Sequence, residues 1–374
     1  MAHTGYMIVA DISGYTAYLS TSELEHAQEI LESLINTILK RIHPPIILSR
    51  TEGDAVFAYT LDESLLQGQT LLEAAEEIYC SFATELEHNK INTTCDCNAC
   101  RNMSSLDLKI VIHHGTFGLQ KLGNHTELIG SDVNLTHRLL KNHVIEKTGI
   151  MAYCFFSEAA IKAMGLEEFT AQMARHSETY DHLGEVQGFV YDLKGVYQRN
   201  LEKRRTIITP EMAEIVESAI LPVPPAVLWD YLNEPQFRAR YRFSESSRTS
   251  NQQDGRLGEG TIYHCVHGER TVNEKIIDWK PFEYITIEGT HTMSNVALVY
   301  HFTMTLTPFA NDTQTKLEML LTANRARNPL LAPLAARIWQ KTLKPAFQMG
   351  VAGSFSYLKE AIQANTASVE ASTS

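Results

Sequence analysis

Two short stretches of this chain each put an aspartate where a strand meets a tight turn, and that pair constrains its fold more than any other feature. The first is Ile8-Val9-Ala10-Asp11-Ile12-Ser13-Gly14-Tyr15-Thr16, and the second is Arg50-Thr51-Glu52-Gly53-Asp54-Ala55-Val56-Phe57-Ala58. Apolar runs of this length bounded by Gly and Ser read as buried strands leading into turns. A third stretch, Gly130-Ser131-Asp132-Val133-Asn134-Leu135-Thr136-His137-Arg138, sets an amide and a guanidinium one helical turn apart on one face. Oxygen ligands suit a hard divalent cation, and Arg suits a phosphate. Together the three stretches form a kit for phosphoryl transfer on a nucleotide. Taken singly, Asp11 and Asp54 read as ordinary turn residues. Arg138 alone reads as a surface charge on a helix whose core side is Val133 and Leu139.

The order of elements points to an α+β protein of two domains. Tyr6 to Asp11 is a strand. Ala27, Leu31, Leu34, Ile38 and Ile42 then recur at helical spacing over 22–42, with Ser22 as N-cap. Residues 46–50 and 55–59 form a hairpin around Glu52-Gly53-Asp54. A helix over 71–86, a strand over 106–113, a helix from Asp132, and strands over 149–155 and 189–193 complete the first half. Strands interleaved with helices imply helices packed on one sheet, an α/β sandwich. The polar run Lys203-Arg204-Arg205 places a linker at 201–210. The second half has a strand over 213–220, a helix opened by Pro224-Pro225, several strands between 260 and 321, and a long Ala- and Leu-rich helix over 329–362. The domains expected are therefore 1–200 and 211–362, followed by a small, polar, disordered tail over 363–374.

A chain of 374 residues is natural for two cores. Its net charge of −12 argues against a nucleic-acid binder, which would show a basic face. That charge does not argue against a nucleotide, because metal ions can bring a triphosphate in. No apolar run approaches the roughly 18 residues of a membrane span. No secretory leader is read at the N-terminus. With six cysteines, the expectation is a reducing, cytoplasmic setting.

Asp-Ile-Ser-Gly-Tyr-Thr, Glu-Gly-Asp-Ala and Val-Asn-Leu-Thr-His-Arg-Leu resemble, in order and separation, the signature blocks of the class III nucleotidyl cyclases. The likeness covers residues 1–200 and is nearest to bacterial cyclase-homology proteins of unassigned function. It implies a ferredoxin-like domain that works as a head-to-tail homodimer with its sites at the interface. On that likeness Asp11 and Asp54, with the backbone of Ile12, would carry two Mg²⁺ or Mn²⁺ ions. The loop Ser13, Gly14, Tyr15, Thr16 would lie against phosphate. Asn134 would orient the ribose of a nucleoside triphosphate, and Arg138 would stabilise its α-phosphate. Arg50 stands where the family often carries a base-reading Lys, and Glu127 stands at the position of its partner. An Arg and a carboxylate suit guanine at least as well as adenine, so either ATP or GTP fits. Glu52 stands where the family has an apolar residue, and reads equally as a third acid near the metals or as an exposed turn carboxylate. Glu185-Val186-Gln187-Gly188 lacks the phosphate-binding Lys of many active members. That departure supports an alternative, a catalytically degenerate dimerisation scaffold.

Cys95-Asp96-Cys97-Asn98-Ala99-Cys100 puts three thiols in six residues of a polar loop. Thiolates this close suit a structural Zn²⁺ with a fourth ligand from Cys80, His88, His113 or His114. Free or redox-sensitive thiols are the competing reading. Cys154 and Cys265 lie in apolar strand patterns and read as core.

The second half carries no catalytic set. Val216-Glu217-Ser218-Ala219-Ile220, Pro224 to Leu232 and Gly258-Glu259-Gly260-Thr261 resemble the START-like superfamily (SRPBCC, polyketide cyclase/dehydrase type). That likeness implies a helix-grip fold around a hydrophobic small-molecule ligand. Tyr263, His264, His267 and Trp279 are candidate lining residues, or ordinary residues of the sheet. Three functions follow in order of support: a nucleotidyl cyclase regulated by the second half, a scaffold with a lipid or metabolite carrier, and a polyketide-type cyclase.

Overall fold

The computed structural model describes every residue except Met1, Thr94, Gly123, Asn124, His182, Ser294 and Ser374, with the side chains of Leu122, His125 and residues 366–373 also left aside. The chain divides into two compact units, residues 1–203 and 204–374. The α+β class expected from the order of elements is the one found.

Unit 1 contains β1 (Ala2–Ser13), α1 (Tyr15–Thr21), α2 (Leu24–Leu39), β2 (Ile47–Glu52), β3 (Ala55–Leu61), α3 (Gln69–Asn92), α4 (Asn98–Asn102), β4 (Asp107–Leu122) and β5 (His125–Ile129). It continues with α5 (Ser131–Leu139), α6 (Val144–Thr148), β6 (Tyr153–Ser157), α7 (Glu158–Met164), β7 (Ala174–Tyr180), β8 (Gly184–Asp192) and α8 (Leu193–Glu202). The sheet order is β2-β3-β1-β4-β6-β8-β7, with β5 paired to β4. Its first four strands, antiparallel and in the order β2-β3-β1-β4, form the split βαβ of a ferredoxin-like sheet.

Strand β1 is buried without interruption from Tyr6 to Ala10 because both sheet faces are covered. Met7 and Val9 join Phe57, Tyr59, Phe117, Leu128 and Val133 in one cluster under α5. Ile8, Ala10 and Ile12 point the other way, towards the face that α2 and α3 cover. Period-two alternation therefore carries the Met7–Val9 row on to Asp11.

Two details differ from the sequence reading. The turn after Asp11 is itself a helix, α1, so Ser22 separates α1 from α2 instead of capping a helix start. No side-chain cap is found there, and the buried Ser22 hydroxyl has no partner among the described residues. The stretch 201–210 is also more than a tether. Asp278 accepts hydrogen bonds from the Thr206 N–H at 2.5 Å and from Arg205 at 3.1 Å, and buried Ile208 donates its N–H to Thr303 Oγ1 at 3.1 Å.

Unit 2 contains β9 (Ile215–Leu221), α9 (Pro225–Asn233), α10 (Pro235–Tyr241), β10 (Ser246–Ser250), β11 (Ile262–His267), β12 (Arg270–Lys280) and β13 (Tyr284–Met293). It closes with β14 (Val296–Phe309), β15 (Gln314–Leu321), β16 (Arg325–Ala326), α11 (Ala332–Ile338) and α12 (Lys344–Thr373). The strands run β10-β11-β12-β13-β14-β15-β9 in an antiparallel sheet. Pro225 occupies the first turn of α9, where its missing N–H costs nothing. A five-residue π-helical stretch, Trp339–Leu343, joins α11 to α12. Val351, Phe355, Leu358 and Ile362 make the buried stripe of α12, at helical spacing. The helix continues as far as Thr373, through the region where the composition suggests a disordered tail; Ser374 lies outside the described residues.

Candidate functional site

Asp11 closes the Met7–Val9 row at the end of β1, and the register sets it across from Ala55 on β3 and Lys109 on β4. Asp54 precedes Ala55 in the two-residue turn of the β2–β3 hairpin, where Glu52 pairs with Ala55. Gly53 has φ +64° there, the left-handed conformation such a turn requires. The Ile12 N–H donates to the Asp54 carbonyl at 3.3 Å, tying the two aspartate turns together. Burial raises the Asp54 pKa, and the charge of Asp11 raises it further. The register and the Ile12–Asp54 hydrogen bond thus set the two aspartates at neighbouring strand ends.

Lys109 meets that charge. Its Nζ lies 3.0 Å from Asp11 Oδ2 and donates to the Leu140 carbonyl at 3.2 Å. The sequence reading did not single Lys109 out. The available signal was a lone lysine inside 106–113, a run that is apolar apart from Asp107, Lys109 and His113. Asp11, the Ile12 backbone and Asp54 supply hard oxygen donors with one ammonium to balance two carboxylates. That donor set fits a divalent ion of the Mg²⁺ or Mn²⁺ type.

The next turn begins at Gly14, whose φ is +86°. A Cβ there would fall 2.6 Å from the Ser105 carbonyl oxygen, so only glycine fits. Tyr15 and Thr16 open α1, which has 7 residues. So short a helix contributes little dipole to an anion.

The second set of candidates gathers elsewhere in the same unit. Arg50, Glu52, Asn134, His137 and Arg138, with Asp181 and Leu183, line a cleft of about 620 Å³. Asp11 and Asp54 are not among its lining residues. Helix α5 aims Asn134 and Arg138 outwards while Val133, Thr136 and Leu139 are buried, as the spacing predicts. Arg138 makes no ion pair among the described residues. Arg50 is bracketed by two carboxylates. It bonds Glu52, lies 3.4 Å from Glu127, and sits over the Phe57 ring at 5.5 Å. Glu52 also faces His137 Nδ1 at 3.6 Å and lines this cleft. Burial lowers the His137 pKa, with Glu52 opposing.

Three of the proposed fourth zinc ligands are engaged away from the cysteine loop. His113 bonds Ser157 at 2.8 Å, His114 bonds Asp62 at 3.0 Å, and Cys80 lies 3.5 Å from the Asn200 amide. None of these, nor His88, joins the loop's thiols; among the described residues the histidine that does is His26. Cys154 and Cys265 are buried, as expected of core residues.

In unit 2 the inner side of the sheet carries charge. Glu274, 1% exposed, accepts from Arg238 at 2.5 Å, from Arg242, and from the Tyr300 hydroxyl at 2.9 Å. Arg238 lies 4.0 Å over the ring of Tyr263, whose hydroxyl donates to the Asn233 carbonyl. Trp279 packs edge-on against Trp229 at 4.6 Å. His264 bonds Ser250 and Asn273 at the surface.

Residues 27–148 match the family model described as "Protein of unknown function (DUF2652)", and residues 212–353 match that of "Polyketide cyclase / dehydrase and lipid transport". An uncharacterised protein of Mycobacterium tuberculosis is 29% identical over 168 residues, which is 44% of this chain and 72% of that protein. Among solved structures, the guanylyl cyclase Cya2 is similar at 14% identity and a TM-score of 0.39, covering 51% of this chain and 92% of its own. The adenylyl cyclase CyaB of P. aeruginosa is similar at 15% identity and a TM-score of 0.34, covering 56% and 98%. No functional statement follows from likeness at that level. No described helix is long and apolar enough to cross a membrane.

Proposed function

We propose that unit 1 is a nucleotidyl cyclase that converts ATP or GTP into a 3′,5′-cyclic nucleotide and pyrophosphate, with two chains arranged head to tail. One observation supports the reading: the acidic pair lies outside the cleft that the Asn/Arg couple lines. Asp11 and Asp54 are not among the residues that line the cleft of Arg50, Asn134 and Arg138, so the candidate metal donors and the Asn/Arg couple stand apart within one chain. A second copy would bring the cleft of one protomer over the aspartates of the other.

In the reaction the ribose 3′-oxygen attacks the α-phosphorus, the bond to the α,β-bridging oxygen breaks, and the 3′-hydroxyl proton leaves to solvent. Divalent ions held by Asp11, Ile12 and Asp54 would supply Lewis acidity towards the phosphates and the attacking hydroxyl. Asn134 would hold the ribose. Arg138, unpaired in the cleft, would meet charge developing on the α-phosphate, and positioned charge of this kind is the main catalytic resource in phosphoryl transfer. Arg50 and Glu127 would bind the base edge once it displaces their mutual ion pair. Lys109 would turn from Asp11 towards the incoming phosphates.

The test is purified full-length chain with each nucleoside triphosphate and Mg²⁺ or Mn²⁺, with the product identified by mass spectrometry. Cyclic product lost in Asp54→Ala supports the proposal. No product with any of the four triphosphates removes it. The Glu52–Arg50–Glu127 arrangement favours a second reading, the degenerate scaffold, because a base must break two ion pairs to bind. For unit 2 we propose a hydrophobic small-molecule ligand whose binding biases the dimer, in line with the family description matched by residues 212–353. Native mass spectrometry of the purified chain reads a co-purified ligand directly.

A further inference from the structure

The loop between α3 and β4 brings three thiols and one imidazole to a point. His26 Nδ1 lies 3.3 Å from Cys97 Sγ and 3.5 Å from Cys95 Sγ. One ligand atom from each of His26, Cys95, Cys97 and Cys100 lies within 4.8 Å of the others. A tetrahedral zinc with Zn–S near 2.3 Å and Zn–N near 2.0 Å would hold its donors roughly 3.5–3.8 Å apart. The four side chains thus stand almost at coordination spacing. They come from segments far apart in sequence, so local geometry alone does not assemble them.

The surroundings hold that arrangement. Cys97 precedes α4 and its sulfur accepts the Cys100 N–H at 3.4 Å, while Thr93 Oγ1 donates to Cys100 Sγ at 3.2 Å. N–H and O–H groups aimed at sulfur are the outer contacts that orient metal-bound thiolates. Ala99, inside the cysteine run, is fully buried; its N–H donates to Glu23 at 3.0 Å, and its carbonyl accepts from the Tyr18 hydroxyl at 3.0 Å. Further along the loop Met103 and Leu106 are buried as well, whereas Cys95 and Asp96 are exposed.

We propose that His26, Cys95, Cys97 and Cys100 form a closed Cys₃His structural zinc site that clasps the first turn of α2 to the loop leading into β4. Four protein donors leave no open position, so the ion is structural and not catalytic. Ligand atoms this close fit one ion, whereas an iron–sulfur cluster spreads its thiolates over several irons. Beyond the thiols, the same loop brings the Ser105 carbonyl oxygen against Gly14.

The test uses the full-length chain expressed with added zinc and purified without chelator. Elemental analysis should find about one zinc per chain. His26→Ala and Cys97→Ser should lose most of it, and Cys80→Ser should keep it. Replacing zinc by Co²⁺ in the unaltered chain should give thiolate-to-cobalt charge-transfer absorption, a readout independent of whether the variants fold. Chelation should lower the melting temperature. A metal-free wild-type chain, zinc retained by both His26→Ala and Cys97→Ser, an iron–sulfur chromophore, a disulfide among the three cysteines under reducing purification, or cobalt binding without the thiolate band would each overturn the proposal.

Discussion

Replacing Glu274 by Gln removes one charge and almost no volume from the interior of unit 2. Arg238 is wholly buried and its guanidinium stays protonated. After the change it would face a neutral amide, with the Leu232 carbonyl and the Tyr241 hydroxyl as its other acceptors among the described residues. Arg242 would lose the same partner. Breaking a buried ion pair from one side costs about 3–5 kcal/mol. The titration of Glu274 gives a similar figure. Burial pushes its pKa up, but Arg242 and Arg238 override this and bring it down from 4.5 to about 2. A carboxyl so shifted stabilises the fold by roughly 3 kcal/mol when ionised. The folded pKa is depressed, so that stability is present above the unfolded value and is lost as pH falls from about 5 towards 2. For a unit of this size, 3 kcal/mol is about 6–12 °C in melting temperature. All three tryptophans, Trp229, Trp279 and Trp339, lie in unit 2, so tryptophan fluorescence follows its unfolding selectively. The stability difference between wild type and Glu274→Gln should be constant above about pH 5 and shrink below it. A loss under about 1 kcal/mol, or a difference that ignores pH, would refute the argument.

Other expectations follow from the acidic pair and the cleft. Asp54→Asn should raise the melting temperature of metal-free protein at pH 7, because the folded pKa of Asp54 is raised and its ionised form opposes folding; the gain should fade as pH falls through that value. The same variant should lose any thermal shift produced by Mg²⁺ or Mn²⁺, which calorimetry with and without metal reads. Lys109→Met should cost roughly 1–3 kcal/mol in chemical denaturation without divalent ions, and added Mg²⁺ or Mn²⁺ should restore part of it. Arg138→Ala should leave stability within about 0.5 kcal/mol, since the side chain is exposed and makes no ion pair among the described residues. It should also lower cyclic-nucleotide formation on the order of 10²–10³-fold in a steady-state assay. An equal loss of stability and rate would make Arg138 structural.

Legibility differed from site to site for identifiable reasons. The i, i+4 spacing of Asn134 and Arg138 is a property of any helix, so the shared outward face of α5 could be read from the letters alone. The strand–turn chemistry at Asp11 and at Glu52-Gly53-Asp54 was equally local. Lys109 escaped because its role comes from strand register: nothing in Leu106 to His113 says that position 109 pairs with Asp11. Ser22 misled because a hydroxyl before an apolar helical pattern looks like a cap, while the residues just upstream form α1 instead. His26 escaped because it reaches the cysteine loop across the fold.

By itself, the sequence determined the α+β class, the faces of strands and helices, and the chemical types present: paired carboxylates, an Asn/Arg couple and three clustered thiols. These follow from periodicity and short-range sterics, which act over a few residues. Only the tertiary structure decided which distant groups share a volume: Lys109 with Asp11, Glu52 and Glu127 around Arg50, His26 with Cys97, and Glu274 between two arginines. Such pairings depend on sheet order and helix packing, and burial then turns them into charge balance, because a buried charge must find its partner wherever the chain has placed one.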